Sequence, residues 1–283
     1  MCKYTIIGDS CCDYTEDVNL DFLTRVPLTL ELGDKRYLDD GTLHCQTLLS
    51  DMAKSDKAPL SACPAPAAFT AAIGEGKEEA YIVTLSERVS GTYNSAVLGA
   101  DAAKAALPGL QVHVFNSRSA AAGEIAVCCK LKSLLEQGLP FREVVEKTEA
   151  YISRLNTFFV LETLDVFRKN GRLSHLQALA TAALKIRLIM GADENGAIVM
   201  RGKALTMPRA LKGLVEQIKA RYAQLHEAGH EILYITHCVC RDRAEELRAA
   251  ILASCPAVKQ VVICRAGGLS SMYANAGGVI VGF

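Results

Sequence analysis

Short apolar runs recur along the chain with helix-forming stretches between them, a rhythm that few folds accommodate. The runs are Tyr4–Gly8, Arg25–Leu32, Ala80–Leu85, Gln111–Phe115, Phe158–Glu162, Ile186–Met190, Ala197–Arg201, Glu231–Thr236 and Lys259–Cys264, with GGVIVGF closing the chain. Several lack alternation, as strands buried on both faces do. Helical candidates fall between them at Thr92–Leu107, Ser119–Gln137, Phe141–Leu155, Pro208–Glu227 and Asp242–Ala253. Strand–helix alternation implies an α/β protein with a mostly parallel sheet. Glu194-Asn195-Gly196 lies between two apolar runs and reads as a hairpin turn, so an antiparallel pair interrupts the pattern after about residue 185. The expectation is two lobes. Residues 1–156 would form an N-terminal, mostly parallel sheet flanked by helices. Residues 157–283 would form a C-terminal mixed sheet with helices, its last segment returning to the interface. PLSACPAPAA at Pro59–Ala68 reads as a short Pro/Ala loop.

With 50% hydrophobic and 22% charged residues, the chain has the composition of a packed core rather than of disorder. Lys plus Arg and Asp plus Glu both number 31, and no basic block occurs, which argues against a nucleic-acid partner. No run approaches the roughly 18 apolar residues of a membrane span, and MCKYTIIGDS is too short for a signal-peptide core. A cytoplasmic protein is expected, and a monomer, since no exposed apolar seam stands out. The 11 cysteines include the adjacent pairs Cys11-Cys12 and Cys128-Cys129 but no Cys-x-x-Cys. They read as structural thiols, HCVC at His237–Cys240 included, and no metal site is expected.

Open α/β sheets bind ligands at the carboxyl ends of their strands. Three polar clusters occupy such ends: Asp9-Ser10, Ser86–Thr92 and Asn116-Ser117, and Ser61 in the Pro-rich loop is placed to reach the same crevice. In TLSERVSGTYNSA, Thr84–Ala96, a helix starting near Thr92 makes Ser90 its N-cap and lets Gly91 bring backbone close to a ligand. The first-turn N–H groups would then face an anion. Alternatively, Ser90 only caps its own helix.

The loop matches no reactive motif. Arg88 stands where Gly-x-Ser-x-Gly needs its first glycine, and Tyr93-Asn94 follow Thr92 where a P-loop differs. Of the six histidines, His113 lies in a strand candidate and His226 and His230 around a helix end. His44, His175 and His237 have no partner that implies a triad. Asp39-Asp40, beside the turn GDKRY, reads as a solvated loop. No catalytic residue and no cofactor are assigned.

In LETLDVFRKNGRLS, Leu161–Ser174, Arg172 offers a bidentate fork for a carboxylate or is an ordinary surface arginine. HLQALATAALKIRLIM beyond it would line a tunnel or simply be core. Arg201, Lys203 and Arg209 around RGKALTMPR form either a docking patch for an acidic protein surface or a solvated face.

In order, IIGDSCCDYT, VPLTL, LSACPAP, TLSERVSGTYNSA, VFNSRSAAAG, LETLDVFRKNGRLS and IRLIMGADENGAIVM resemble the DegV family of bacterial fatty-acid-binding proteins over essentially the whole chain. The resemblance implies a two-lobed carrier, not an enzyme. A long-chain fatty acid would lie in an apolar tunnel with its carboxylate near the lobe junction, presented to a separate fatty-acid kinase. Ser90 matches the family's carboxylate-binding serine, and Ser61 the threonine of its Thr-Ser-Gln-Pro loop. Tyr273, in YANAG, stands where a carboxylate-binding histidine is usual. A phenol donates a hydrogen bond but carries no positive charge at neutral pH. Ligand-binding residues are thus expected at Ser61, Ser90, Gly91, Tyr273, Asp9, Ser10 and Arg172. The rival reading is a hydrolase or transferase acting on a small acyl ester or phosphate in the same crevice, motivated by the hydroxyls of Ser10, Ser61, Ser90 and Ser117.

Overall fold

The structure is a computed structural model that describes residues 3–173, 186–225 and 231–283. The first sheet is wholly parallel. Its strands are β1 (Tyr4–Asp9), β2 (Leu23–Val26), β6 (Glu79–Thr84) and β7 (Gln111–Asn116), in the order β2-β1-β6-β7. Its unbroken apolar strands are covered on both faces, as the sequence implied. Helices α2 (Pro66–Ile73) and α3 (Thr92–Ala106) cover one face, where Ile7, Phe69, Ile82 and Ala100 pack together. Helix α4 (Ala122–Glu136), backed by α5 (Phe141–Ile152), covers the other.

The second sheet is mixed and has the order β10-β9-β8-β13-β11-β12. Its strands are β8 (Thr157–Val160), β9 (Arg187–Ala192), β10 (Ile198–Ala204), β11 (Ile232–His237), β12 (Gln260–Arg265) and β13 (Val279–Gly282). Strands β9 and β10 form the hairpin expected around Glu194–Gly196. Only β11 and β12 run parallel; β13, the last in chain order, is inserted antiparallel to both neighbours, β8 and β11. Helices α7 (Met207–Tyr222) and α8 (Arg241–Ser254) pack on this sheet with Leu214, Ile218, Leu247 and Ile251 buried.

Helix α4 joins the two sheets, touching β1 and β6 of the first and β11 and β13 of the second. It is buried on nearly every side, and Gly123 explains how it comes so close. A Cβ on Gly282 of β13 would collide with the Gly123 backbone, and one on Gly123 would collide with Ser119 Oγ.

Two sequence expectations are corrected here. The run Arg25–Leu32 is not one strand: Pro27, which lacks an N–H, breaks it into β2 and β3 (Thr29–Leu32). Strand β3 leaves the first sheet and forms a small antiparallel sheet, β4-β3-β5, with β4 (Lys35–Leu38) and β5 (Leu60–Ala62). Correspondingly, Pro59–Ala68 is not a loop throughout, since it contains β5 and the start of α2, with Pro66 where a helix accepts proline. Three short elements remain: α1 (Cys45–Lys54), α6 (Asp165–Lys169) and α9 (Gly268–Ala274). Among the described residues, no helix is long and apolar enough to cross a membrane.

Candidate functional site

A cavity of about 850 Å³, its open mouth included, lies where the three sheets meet. Its walls are mainly apolar and include Leu28, Leu85, Phe159, Phe167, Ile198 and Ile280. Among the polar side chains on its surface are Ser61, Ser90, Arg172 and Tyr273, four residues expected from the sequence to bind a ligand. Hydrogen bonds through Asn170 link Ser61, Tyr273 and Arg172, while Ser90 stands beside this network. Ser61 Oγ lies 3.4 Å from Tyr273 Oη, and Asn170 Nδ2 donates to that same phenol oxygen at 3.2 Å. Arg172 donates from Nη1 to the Asn170 carbonyl at 2.5 Å and from Nε to the Val89 carbonyl, beside Ser90, at 3.3 Å.

The helix expected to start at Thr92 does so, but Ser90 is not its N-cap. Gly91 occupies that position without a side-chain cap. Ser90 Oγ instead accepts the Thr92 N–H at 3.3 Å and lies 2.8 Å from Thr92 Oγ1. The hydroxyl sits one residue outside the cap, directed along the cavity wall by a local turn. Gly91 is exposed and contributes no wall; a Cβ there would meet Cys63 Sγ at 3.6 Å.

Asp9 and Ser10, also expected at the ligand, stand behind the wall. Asp9 Oδ1 accepts the N–H of Cys11 and Oδ2 that of Leu85, each at 2.8 Å. Ser10 Oγ accepts the N–H of Leu28 at 3.0 Å. Cys11, Leu28 and Leu85 all line the cavity. The Asp-Ser pair therefore shapes the surface by fixing the backbone of three wall residues. Ser117 is likewise buried, its Oγ accepting the Ser119 N–H at 3.1 Å.

Asp39 is the clearest correction. It is buried rather than solvated, and its two oxygens accept the N–H groups of Gly268 and Leu269, each at 2.8 Å. Asp13 accepts the N–H of Gly267 at 2.8 Å. These two carboxylates anchor the start of α9, the helix that carries Tyr273. Only Asp40, the neighbour of Asp39, behaves as a surface residue, bonding Thr42. Nothing local in GDKRYLDDG distinguishes the two; the difference is made by a partner helix far along the chain.

The buried acids are electrostatically unusual. Burial pushes Asp9 and Asp13 up from the ordinary 3.8 to about 7, against the opposing pull of their backbone hydrogen bonds. Glu124, fully buried on α4, is pushed well above the carboxylate range by burial and then by the charge of Asp9. Both of its oxygens lack a hydrogen-bond partner among the described residues. Asp9, Cys11 and Glu124 bring one donor atom each within 4.8 Å of one another. Asp9 and the Cys11 sulfur are already engaged by backbone N–H groups, the latter by Ala121 at 3.4 Å. In the HCVC stretch, His237 Nδ1 accepts the Cys240 N–H at 3.3 Å.

Arg201 does not present a free guanidinium: Nη2 donates to the Ala192 carbonyl at 2.7 Å and the side chain is half-buried. Lys203 and Arg209 are exposed. Ser174, His175 and most of the HLQALATAALKIRLIM stretch, together with His226 and His230, lie outside the described residues.

Parallel and mixed sheets joined by a buried helix, around an apolar cavity with a networked polar cluster, define an α/β binding-protein architecture. The chain belongs to the DegV family, whose model, described as an uncharacterised protein family, matches residues 3–283. A DegV domain-containing protein of Streptococcus pneumoniae is 33% identical over 291 residues, covering 99% of this chain and 98% of its own. Among solved structures, a DegV-family protein from Ruminococcus gnavus refined with vaccenic acid has a TM-score of 0.91 and 38% identity, covering 99% of both chains. The Streptococcus pneumoniae Fatty Acid Kinase (Fak) B3 protein loaded with linoleic acid has a TM-score of 0.87 and 31% identity. That match covers 100% of this chain and 99% of the other.

Proposed function

We propose that this protein is a carrier for a long-chain fatty acid, holding it for a separate fatty-acid kinase. The acyl chain lies against the apolar walls and the carboxylate is received by Ser61, Ser90 and Tyr273, with Arg172 beside them. The observation that carries this reading is the cavity itself, an apolar interior with four hydrogen-bonding side chains on its wall, of which Ser61, Tyr273 and Arg172 are linked through Asn170 and Ser90 stands beside them. The affinity comes mainly from the chain. Each methylene leaving water contributes about 0.8 kcal/mol, so the roughly 14 methylenes of palmitate supply about 11 kcal/mol before ordering costs. Neutral hydroxyls then suffice to fix the head group. The fatty acids bound to the similar Ruminococcus and Streptococcus proteins, and the latter's description as a fatty acid kinase component, support the same assignment.

As a carrier, the chain divides functionally near Asn156. The lobe 1–156 supplies Ser61 and Ser90, and the lobe 157–283 supplies Tyr273, Arg172 and much of the apolar wall. A cytoplasmic location fits delivery to a soluble kinase. The kinase would meet Lys203 and Arg209 rather than Arg201, whose guanidinium is turned to the Ala192 carbonyl. The hydrolase or transferase reading gains no support from the environment of Ser90, whose oxygen is bonded to the amide and hydroxyl of Thr92 rather than to a base.

Native mass spectrometry of the purified protein, followed by organic extraction, tests the proposal. The expected result is added mass released as free fatty acid. Protein that carries none and takes up neither palmitate nor oleate would sink it.

A further inference from the structure

Asn170 does not line the cavity, yet it holds the phenol that does. Its Nδ2 makes two bonds, to the Pro59 carbonyl at 2.9 Å and to Tyr273 Oη at 3.2 Å. A carbonyl can only accept, so the Pro59 bond fixes which end of the amide faces this corner: the NH2 group. Both amide hydrogens are then committed outward, and Tyr273 Oη is an acceptor toward Asn170. Its own proton is left for the cavity side, for Ser61 Oγ at 3.4 Å or for a bound head group. The ring cannot swing away easily, since Phe167 packs against it at 4.6 Å between centroids. Asn170 is itself held: its N–H bonds the Val166 carbonyl at 3.0 Å at the end of α6, and its carbonyl receives Arg172.

We propose that Asn170 is a positioning residue that sets the direction of the hydrogen-bond relay Asn170→Tyr273→Ser61. Tyr273 thereby acts as a donor, and the head-group site selects an acceptor-only anion, the ionised carboxylate. This rests on the carrier reading and adds to it a residue and a specificity. A fatty alcohol has the same chain but a single neutral oxygen that also brings its own donor, so it gains less than a carboxylate from a relay that ends in a hydrogen offered to the head group.

The test compares palmitate with 1-hexadecanol in wild-type protein, Asn170→Leu, Tyr273→Phe and the double variant, with melting temperatures recorded for each. Asn170→Leu keeps the bulk and removes the donors. It is expected to weaken palmitate about fivefold, the value of one ordinary hydrogen bond, and 1-hexadecanol clearly less. In the Tyr273→Phe background the same substitution should cost palmitate nothing further, because Asn170 acts only through the phenol. Asn170→Asp supplies an acceptor that takes the phenol's proton, so the preference should move from the acid toward the alcohol. Equal losses for both ligands, or additive losses in the double variant, would overturn the proposal and make Asn170 merely structural. If Ser90→Ala weakens palmitate while Asn170→Leu does not, this inference falls and the carrier stands. If wild-type protein binds neither ligand, both fall.

Discussion

Asp39 Oδ2 accepts the backbone N–H of Leu269 at 2.8 Å, so the loop after β4 grips the helix on which Tyr273 sits. The companion oxygen takes Gly268 at the same distance, leaving neither oxygen spare. Asp39→Ala should therefore destabilise the protein by about 2 kcal/mol, through two buried N–H groups left unpaired. It should also weaken palmitate several-fold by loosening Tyr273. Asp39→Asn offers only one acceptor and should recover less than half of the loss. Chemical denaturation with parallel calorimetry would show this; wild-type stability in Asp39→Ala would contradict it.

Ser90→Ala should weaken palmitate about fivefold to tenfold while shifting the melting temperature of the protein alone by little. Among the described residues its hydroxyl supports one long turn bond, to the Thr92 N–H, and one to the Thr92 hydroxyl. Titration calorimetry with and without the substitution separates the two effects. Unchanged affinity would remove Ser90 from the head-group site.

The buried acids give stability a pH dependence of definite sign. Asp9 and Asp13 move from the ordinary 3.8 to about 7 on folding, so between those values the folded chain holds more protons than the unfolded one. Unfolding free energy contributed by these groups must then fall as pH rises from about 4 to about 7. Glu124, raised further by burial, extends the decline. Glu124→Gln should stabilise the protein at pH 8 by about 2 kcal/mol and do little at pH 5, where the acid is already neutral. Equal effects at both pH values would show that Glu124 does not titrate.

Gly282→Ala should prevent α4 from seating on β13, since the added methyl would meet the Gly123 backbone. Overpacking of this kind costs about 1–3 kcal/mol, and here the neighbour is main chain that cannot yield. Reduced thermal stability together with lost palmitate binding is the expected outcome. A variant with the wild-type melting temperature would mean the helix can shift.

The sequence discloses the parallel sheet, the β9–β10 hairpin and the strand-end location of the cavity because each leaves a local pattern: strand–helix alternation, the Glu194–Gly196 turn and polar residues directly after apolar runs. It conceals what depends on distant partners. Strand β4 reads as polar KRYL because only one of its residues is even partly covered, and β5 is only three residues long. Asp9 and Ser10 are correctly placed at a strand end, but whether they face the ligand or the backbone behind it is decided by Leu28 and Leu85. Asn170 gives no signal at all, for its partner Tyr273 lies 103 positions away. Ser61, Ser90, Arg172 and Tyr273 all line the cavity; Ser90 stands out in the sequence by its place between strand and helix, Ser61 and Arg172 by their loops, and Tyr273 through the family resemblance.

The central position of β13 has a consequence for vectorial synthesis. Before residues 279–282 have been made, β8 with its hairpin and β11 with β12 have no strand between them, and Ile280 is missing from the cavity wall. A nascent chain on the ribosome thus cannot close its second sheet, nor offer a finished cavity, until this late segment emerges. A chain that stops short of β13 therefore lacks both the strand that joins β8 to β11 and the Ile280 part of the cavity wall.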